Sequence, residues 1–99
     1  MFPERIHSRS TIEVVGRAKR LGQPLDISGY SVLLRLRKDG QQHEIAGAVV
    51  DGPNGLFHVV IPDDLGIEPG QWDYELLLYN SNNTYVVSSG TLDVQPRLP

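Results

Sequence analysis

The segment PDDLGIEPG contains the acidic side chains most suited to chemistry, namely Asp63, Asp64 and Glu68. Clustered carboxylates can bind Ca²⁺, and a pair of carboxylates can act as general acid and base. The segment lacks the alternating Asp/Asn pattern and the closing glutamate of a calcium loop, and Pro62 and Pro69 bracket it as a connection. An aspartate at its start is better placed to cap a single helical turn. We therefore interpret these acids as turn residues, with a metal site and catalytic carboxylates as the lesser alternatives.

The other reactive side chains form no catalytic pattern. His7, His43 and His58 are isolated in the sequence, without the HExxH spacing of a zinc site, and are expected at the surface. Ser88 and Ser89 do not belong to a GxSxG nucleophile elbow, no glycine-rich phosphate loop occurs, and there is no cysteine. The sequence predicts a protein that is not an enzyme and that uses no cofactor and no metal.

Charge is unevenly distributed along the chain, although the net charge is only -3. Residues 1–40 carry eight basic and four acidic side chains, whereas residues 41–99 carry one basic and eight acidic side chains. The two halves can interleave in one mixed surface; the alternative is that copies or lattice neighbours meet positive to negative. Nucleic-acid binding is not favoured, because the chain is acidic overall and its arginines are not interleaved with exposed aromatic residues.

The length of 99 residues fits one domain with a single hydrophobic core, and the hydrophobic fraction of 39% is typical of a soluble protein. No apolar run approaches the roughly 20 residues of a membrane-spanning helix, and the start MFPERIHSRS lacks the apolar core of a secretion signal. We expect a protein of the cytoplasm or of a particle assembled there. Residues 1–9 show no strand or helix periodicity and are predicted to be an arm, residues 10–96 the domain, and residues 97–99 a tail.

Short alternating segments separated by Gly, Pro, Asn and Asp turns make up the predicted domain. The clearest, QWDYELLLYN, places Trp72 and Tyr74 on its apolar face, so both are predicted to lie in or near the core. The DG dipeptide at 39–40 predicts a tight hairpin, and Gly90 predicts an irregularity in the last strand. Six to seven such strands predict an all-β fold, an immunoglobulin-like antiparallel β-sandwich with an extended N-terminal arm. A small barrel is the alternative.

Four segments give the chain a resemblance to a known family. Their order resembles that of the small immunoglobulin-like domains of tailed-bacteriophage virion proteins, such as the N-terminal module of baseplate upper proteins. The pattern has a Gly-x-Val-x-Leu strand, a Gly-x-Phe-x-Val-x-Ile-Pro strand, a Pro-Gly strand rich in aromatic residues and a closing Gly-x-Leu-x-Val strand, which match 29–37, 55–62, 69–76 and 90–94. Trp72 stands where a tyrosine is usual, and residues 1–22 depart from the pattern. The resemblance implies a structural, non-enzymatic role.

Together these observations predict a phage virion structural protein that assembles in multiple copies. It is expected to be either a capsid decoration (cement) protein or a tail, baseplate or neck accessory, assembled in the host cytoplasm. Its expected partners are other virion proteins, with no nucleic acid and no membrane. Contact is expected through the basic arm and an exposed sheet edge or face. The predicted contact residues are Phe2, Arg5, Ile6, Arg9 and Arg17.

A carbohydrate- or ligand-binding module for host-surface adhesion is the alternative function. It requires Trp72, Tyr79 and Tyr85 to form an exposed aromatic platform. The structural hypothesis instead requires Trp72 to be buried, so the exposure of this one side chain separates the two.

Overall fold

The computed structural model describes residues 5–7, 12–62 and 67–95. All regular structure in these residues is β-strand, which confirms the predicted all-β class. The strands are β1 (Arg5–His7), β2 (Ile12–Arg17), β3 (Lys19–Arg20), β4 (Gln23–Pro24), β5 (Ser31–Lys38), β6 (Gln41–Ala46), β7 (Ala48–Asp51), β8 (Leu56–Ile61), β9 (Gly70–Tyr79) and β10 (Thr84–Gln95). Seven of these ten have four or more residues, in agreement with the predicted six to seven strands. No helix in the described part of the chain is long and apolar enough to cross a membrane.

Two sheets pack against each other as an antiparallel β-sandwich. The larger sheet has the order β1-β10-β9-β5-β6 and the smaller has the order β2-β8-β7, while β3 and β4 form a separate short hairpin. Neighbouring strands are antiparallel except for β1, which pairs in parallel with the end of β10, Arg5 opposite Asp93 and His7 opposite Gln95. Three residues of the predicted arm therefore belong to the larger sheet.

The hairpin between β5 and β6 turns at the predicted dipeptide. Asp39 and Gly40 have φ angles of 47° and 82°, and Lys38 lies opposite Gln41. Both central residues therefore have the positive φ of the two-residue turn that matches the twist of adjacent strands. The prediction made from the DG dipeptide is confirmed.

The chain changes sheets at Gly47, between β6 and β7. Its N–H donates to the Val32 carbonyl oxygen at 2.9 Å, which holds the crossing against β5. A Cβ atom at this position would collide with the backbone oxygen of His58 and approach side chains of Val59 and Val32 to within 3 Å. Only glycine lets the backbone pass this close to both sheets.

The core lies between the two sheets and is formed by alternate residues of the long strands. Trp72, Phe57, Leu34 and Leu76 are completely buried. The Trp72 indole N–H donates to the Glu68 backbone oxygen at 2.9 Å, so the polar atom of this side chain is satisfied inside the core. Tyr74 is half-buried and packs against the same cluster. The predicted positions of Trp72 and Tyr74 in or near the core are confirmed.

The connection before β5 is fixed to the small sheet by backbone hydrogen bonds. Ile27 is completely buried, and its N–H donates to the Gly52 oxygen at 2.8 Å. The Asp26 carboxylate accepts the Ser28 N–H at 2.9 Å and closes the turn on either side of Ile27. Hydrogen bonds from the side chain and backbone of Ser28 lower the pKa of Asp26 below its ordinary value of 3.8.

Replacing Trp72 with alanine should destabilise the domain by about 3–5 kcal/mol, because it removes the largest buried side chain and leaves a cavity. The free energy of unfolding is measured by urea titration with circular dichroism. Val50→Ala, at a side chain that is 56% exposed, is the control and should cost less than about 1 kcal/mol. Equal losses in the two variants would contradict the assignment of Trp72 to the core.

Replacing Asp26 with asparagine should lower stability at neutral pH by an amount that shrinks in acid. The folded-state pKa of Asp26 is below the unfolded value, so its stabilisation is present above pH 3.8 and is lost as pH falls through the folded pKa. Urea midpoints of wild type and D26N at about pH 6 and about pH 2.5 measure this difference. Asp39→Asn removes the same charge from a turn that accepts asparagine and serves as control. A D26N deficit that is independent of pH would contradict this role of the carboxylate.

Candidate interaction surface

The described residues of the acidic segment PDDLGIEPG do not form a catalytic site. Glu68 is exposed, and its backbone oxygen accepts the Trp72 indole hydrogen bond. Asp63 and Asp64 lie outside the described residues, so their interpretation as turn residues stays a prediction. Within the described part of the chain, no three His, Asp or Glu side chains are grouped in a way that could hold a metal ion.

The described histidines lie on different strands and in different environments. His43 is half-buried, with its ring 5.4 Å from the Trp72 ring between centroids. The His58 Nδ1 atom lies 3.9 Å from a carboxylate oxygen of Glu13 on the neighbouring strand, and both side chains are more than a third exposed. The surface position predicted for His58 is therefore approximately correct, whereas His43 is partly covered by the core tryptophan. The side chain of His7 lies outside the described part of the chain.

Trp72 cannot take part in an exposed aromatic platform, because it is completely buried. Tyr79 is 40% exposed, whereas Tyr85 is half-buried and packs against the core. Tyr79 pairs with Thr84 across β9 and β10, so Tyr85, the next residue, points to the opposite face of the sheet. The structure therefore does not bring Trp72, Tyr79 and Tyr85 together, and this alternative site is wrong.

The predicted arm contacts are only partly described. Phe2 and Arg9 lie outside the described residues. Arg5 and Ile6 belong to β1, where their backbones pair with Asp93 and Val94. Their role as contacts with a partner stays a prediction.

Arg17, the fifth predicted contact, lines an open groove on one side of the sandwich. The groove has a volume of about 620 Å³ and lies between the end of β2 and hairpin β3–β4 on one wall and the start of β10 on the other. Its lining residues are Arg17, Ala18, Lys19, Arg20, Leu25, Tyr85, Val86 and Val87. A cavity of this size is in the range that binds small molecules or short chain segments.

Backbone hydrogen bonds hold the first wall of this groove in place. The Ala18 N–H donates to the Gly55 oxygen at 2.7 Å, and the Ala18 oxygen accepts the Leu25 N–H at 3.0 Å. Ala18 is buried as a result, while the basic side chains on either side of it, Arg17 and Lys19, are exposed. The hairpin that follows extends this basic wall to Arg20.

The groove combines an unpaired basic wall with an aromatic and apolar wall. Arg17, Lys19 and Arg20 make no ion pair and no side-chain hydrogen bond with the rest of the described chain. Opposite them, the Tyr85 ring lies 5.8 Å from that of Tyr30. Hydrogen bonding to Tyr30 raises the pKa of the Tyr85 phenol above its ordinary value of 10.0, and the nearby Arg20 charge opposes this shift.

The outer face of the larger sheet differs from the groove because its arginine side chains have partners on neighbouring strands. The Arg35 guanidinium contacts Glu44 at 3.0 Å and Glu75 at 3.6 Å. Arg37 donates to the Gln42 side-chain oxygen at 3.1 Å. These exposed contacts contribute little stability each, but Arg35 lies between two carboxylates that balance its charge. Among the described basic side chains, those with neither an ion pair nor a hydrogen bond are Arg17, Lys19 and Arg20 of the groove.

Sequence reasoning included Arg17 but missed Lys19, Arg20 and Tyr85 as members of one surface. The run GRAKR carries a signal, because three basic residues surround a single alanine. Tyr85 is more than 60 residues away in the sequence. Only the folded structure, in which the start of β10 and the run after β2 line the same groove, brings the tyrosine near the basic run.

The tip of the β3–β4 hairpin is an exposed leucine in an unfavourable conformation. Leu21 has a φ of 53° and is 95% exposed, and Gly22 follows with a φ of 79°. A branched apolar side chain is disfavoured in the left-handed region, where asparagine and glycine are common. Neither burial nor backbone preference therefore accounts for leucine at this position.

The fold is similar to the solved structure of the N-terminal domain of ORF48 of phage TP901-1. The TM-score is 0.55, and the match covers 95% of this chain and 83% of that chain at 14% sequence identity. At this identity the likeness concerns the fold, and it supports the sandwich class. No protein-family model matches the sequence, and no curated protein matches it.

Replacing Leu21 with asparagine should raise stability by up to about 1 kcal/mol, because asparagine tolerates the left-handed conformation and no buried contact is lost. The urea unfolding midpoint measures the change. Leu21→Ala removes the same apolar exposure without the preference for positive φ and is the matched control. A stability loss in L21N would show that the leucine makes a contact that stabilises the fold.

Proposed function

We propose that the chain is a non-enzymatic structural protein of a bacteriophage virion, present in multiple copies on the particle. The observation that carries this proposal is the fold likeness to a phage domain over 95% of the chain, together with the sequence pattern in 29–37, 55–62, 69–76 and 90–94. The two supports are of different kinds, because one concerns backbone geometry and the other concerns the order of side-chain patterns.

The sandwich in this proposal is an immunoglobulin-like one. Strand order supports it: β10-β9-β5-β6 corresponds to the G-F-C-C′ order of variable-type domains, and β2-β8-β7 corresponds to B-E-D. Gly47 then marks the C′ to D crossing between the sheets. Such a sandwich serves as a rigid support whose edges, loops and termini are available for contact.

Assembly in this proposal rests on several modest contacts. Phe2, Arg5, Ile6 and Arg9 of the arm engage a neighbouring virion protein, and an exposed sheet edge or face makes a second contact. Linked contacts of modest strength give high avidity on a repetitive lattice without a strong single site. The partners are capsid, neck, tail or baseplate subunits, with neither nucleic acid nor membrane, and assembly occurs in the host cytoplasm before the protein becomes part of the virion.

Alanine substitution of Phe2, Arg5, Ile6 and Arg9 in the full chain should reduce incorporation into particles by at least about tenfold while leaving the unfolding midpoint nearly unchanged. Substitution is preferable to deletion, since the backbone of Arg5–His7 pairs with β10. Copies per particle are counted by quantitative mass spectrometry of purified particles of the phage that encodes the chain.

The control variant carries Val50→Ala, Val60→Ala and Arg37→Ala, which are exposed apolar and basic positions on strands that do not pair with β1. It should be incorporated like the wild type. Normal incorporation of the arm variant would refute the arm as the point of contact. Absence of the wild-type protein from washed particles would refute the virion role itself.

A further inference from the structure

Within the part of the chain that the structure describes, the first part of β10 has a strand partner on one side only. Of its 12 residues, only Asp93, Val94 and Gln95 pair with β1. Eight of the nine residues before them pair with β9 on one side, all except Val87 at the register shift, and none pairs with another described strand. Alternate N–H and C=O groups along such an edge point away from the sheet without a strand partner. This stretch can therefore accept a further strand.

The sequence of that edge lacks the usual protection against pairing. TYVVSSGTL, residues 84–92, contains no charged residue and no proline, which natural sheets commonly place on exposed edges. Val86 is 54% exposed on it. The register shift at Val87 bends the strand locally but leaves backbone on both sides of the bend uncovered.

The opposite wall of the groove is also an edge. β2 is the outermost strand of the smaller sheet and pairs only with β8 among the described strands. The described residues thus leave an opening between β2 and the part of β10 that precedes Asp93. The groove of about 620 Å³ occupies this opening, and Leu25 and Tyr85 give it an apolar surface. An extended chain segment is the natural shape to fill a space with a strand edge on each side.

The charge of the groove selects the kind of segment. Arg17, Lys19 and Arg20 line it without a carboxylate among its described lining residues. An acidic segment would pair with these cations, whereas a basic one would be repelled. The arm of a second copy carries Arg5 and Arg9 against the single acid Glu4, so it is the less suitable occupant.

We propose that the groove binds an extended, acidic segment of another protein, which adds as a strand to the open edge of β10 beside Arg17, Lys19 and Arg20. Main-chain hydrogen bonds to residues 84–92 supply the part of the affinity that does not depend on the side chains of the segment. The basic wall selects segments that carry negative charge. The inference rests on the proposed function only in identifying the segment's source as a virion partner. Strand addition itself is independent of any particle.

The test uses the full chain and a synthetic peptide of about nine residues that alternates valine with glutamate. At a rise of roughly 3.3 Å per residue, an extended peptide of this length matches the length of residues 84–92. Wild type should bind the peptide, and hydrogen exchange measured by NMR should show new protection of amides within residues 84–92. Affinity should fall as salt is raised. A peptide with N-methyl groups on alternate residues keeps the charge but loses strand donors, and it should not bind.

A charge-swap experiment tests the basic wall. The triple variant Arg17→Glu, Lys19→Glu, Arg20→Glu changes exposed side chains that make no described pair, so its fold should be retained. It should bind the glutamate peptide at least about tenfold more weakly and gain binding to the same peptide with lysine in place of glutamate. Arg37→Glu, on the outer face of the larger sheet, should leave both affinities within about twofold.

Three results would overturn the inference. The first is equal binding of the glutamate peptide by wild type and the triple variant. The second is new protection at β2, β6 or β7, which are also sheet edges, instead of at residues 84–92. The third is concentration-dependent protection of residues 84–92 without peptide, together with dimers in sedimentation, which would identify a second copy as the occupant. If the peptide does not bind but the protein is incorporated normally into particles, only this inference is refuted. If the peptide binds but the protein is absent from particles, only the virion role is refuted.

Discussion

The burial of Trp72 and Phe57 between two sheets of unequal width is the interaction on which the rest of the structure depends. The sheet of β2, β8 and β7 has to cover the inner face of a sheet with five strands. Gly47 sets the approach of the two sheets at the crossing, because no side chain fits there. Close packing of this kind fixes the relative position of the sheets, since a dense core does not deform gradually. The described strands of the two sheets are therefore held at defined distances from each other.

The unequal width of the sheets also determines where the chain can interact. β2 is an edge of the smaller sheet, and among the described residues β1 covers the side of β10 only opposite its last three residues. The remaining opening receives the basic run at the end of β2 because Ala18 is hydrogen-bonded to Gly55 and turns the chain there. On the outer face, by contrast, Arg35 is neutralised by Glu44 and Glu75. The groove thus differs in charge from the outer face of the larger sheet, and its position follows from how the two sheets meet.

The sequence alone predicted the features that depend on neighbouring residues. Alternation over QWDYELLLYN placed Trp72 in the core, and the DG dipeptide located the β5–β6 turn, because period two and positive φ are local properties. It did not predict β1, since three residues are too few to show a period and their partner lies at the other end of the chain. The irregularity expected at Gly90 is a register shift at Val87, because a bulge depends on the opposing strand as well as on its own residues. The groove could not be predicted from the sequence for the same reason, because its walls come from segments that are distant in the sequence.

The parallel pairing of β1 with β10 determines how the domain responds to mechanical force. In a parallel ladder, Arg5 and Gln95 lie at opposite ends of the paired segment. Tension that separates the two ends of the chain acts along the strands, so the hydrogen bonds of the ladder are strained in shear and must break together. An antiparallel arrangement of the first and last strands would let them open one bond at a time. A domain fixed at one end and pulled at the other is therefore protected at the strand through which the force enters.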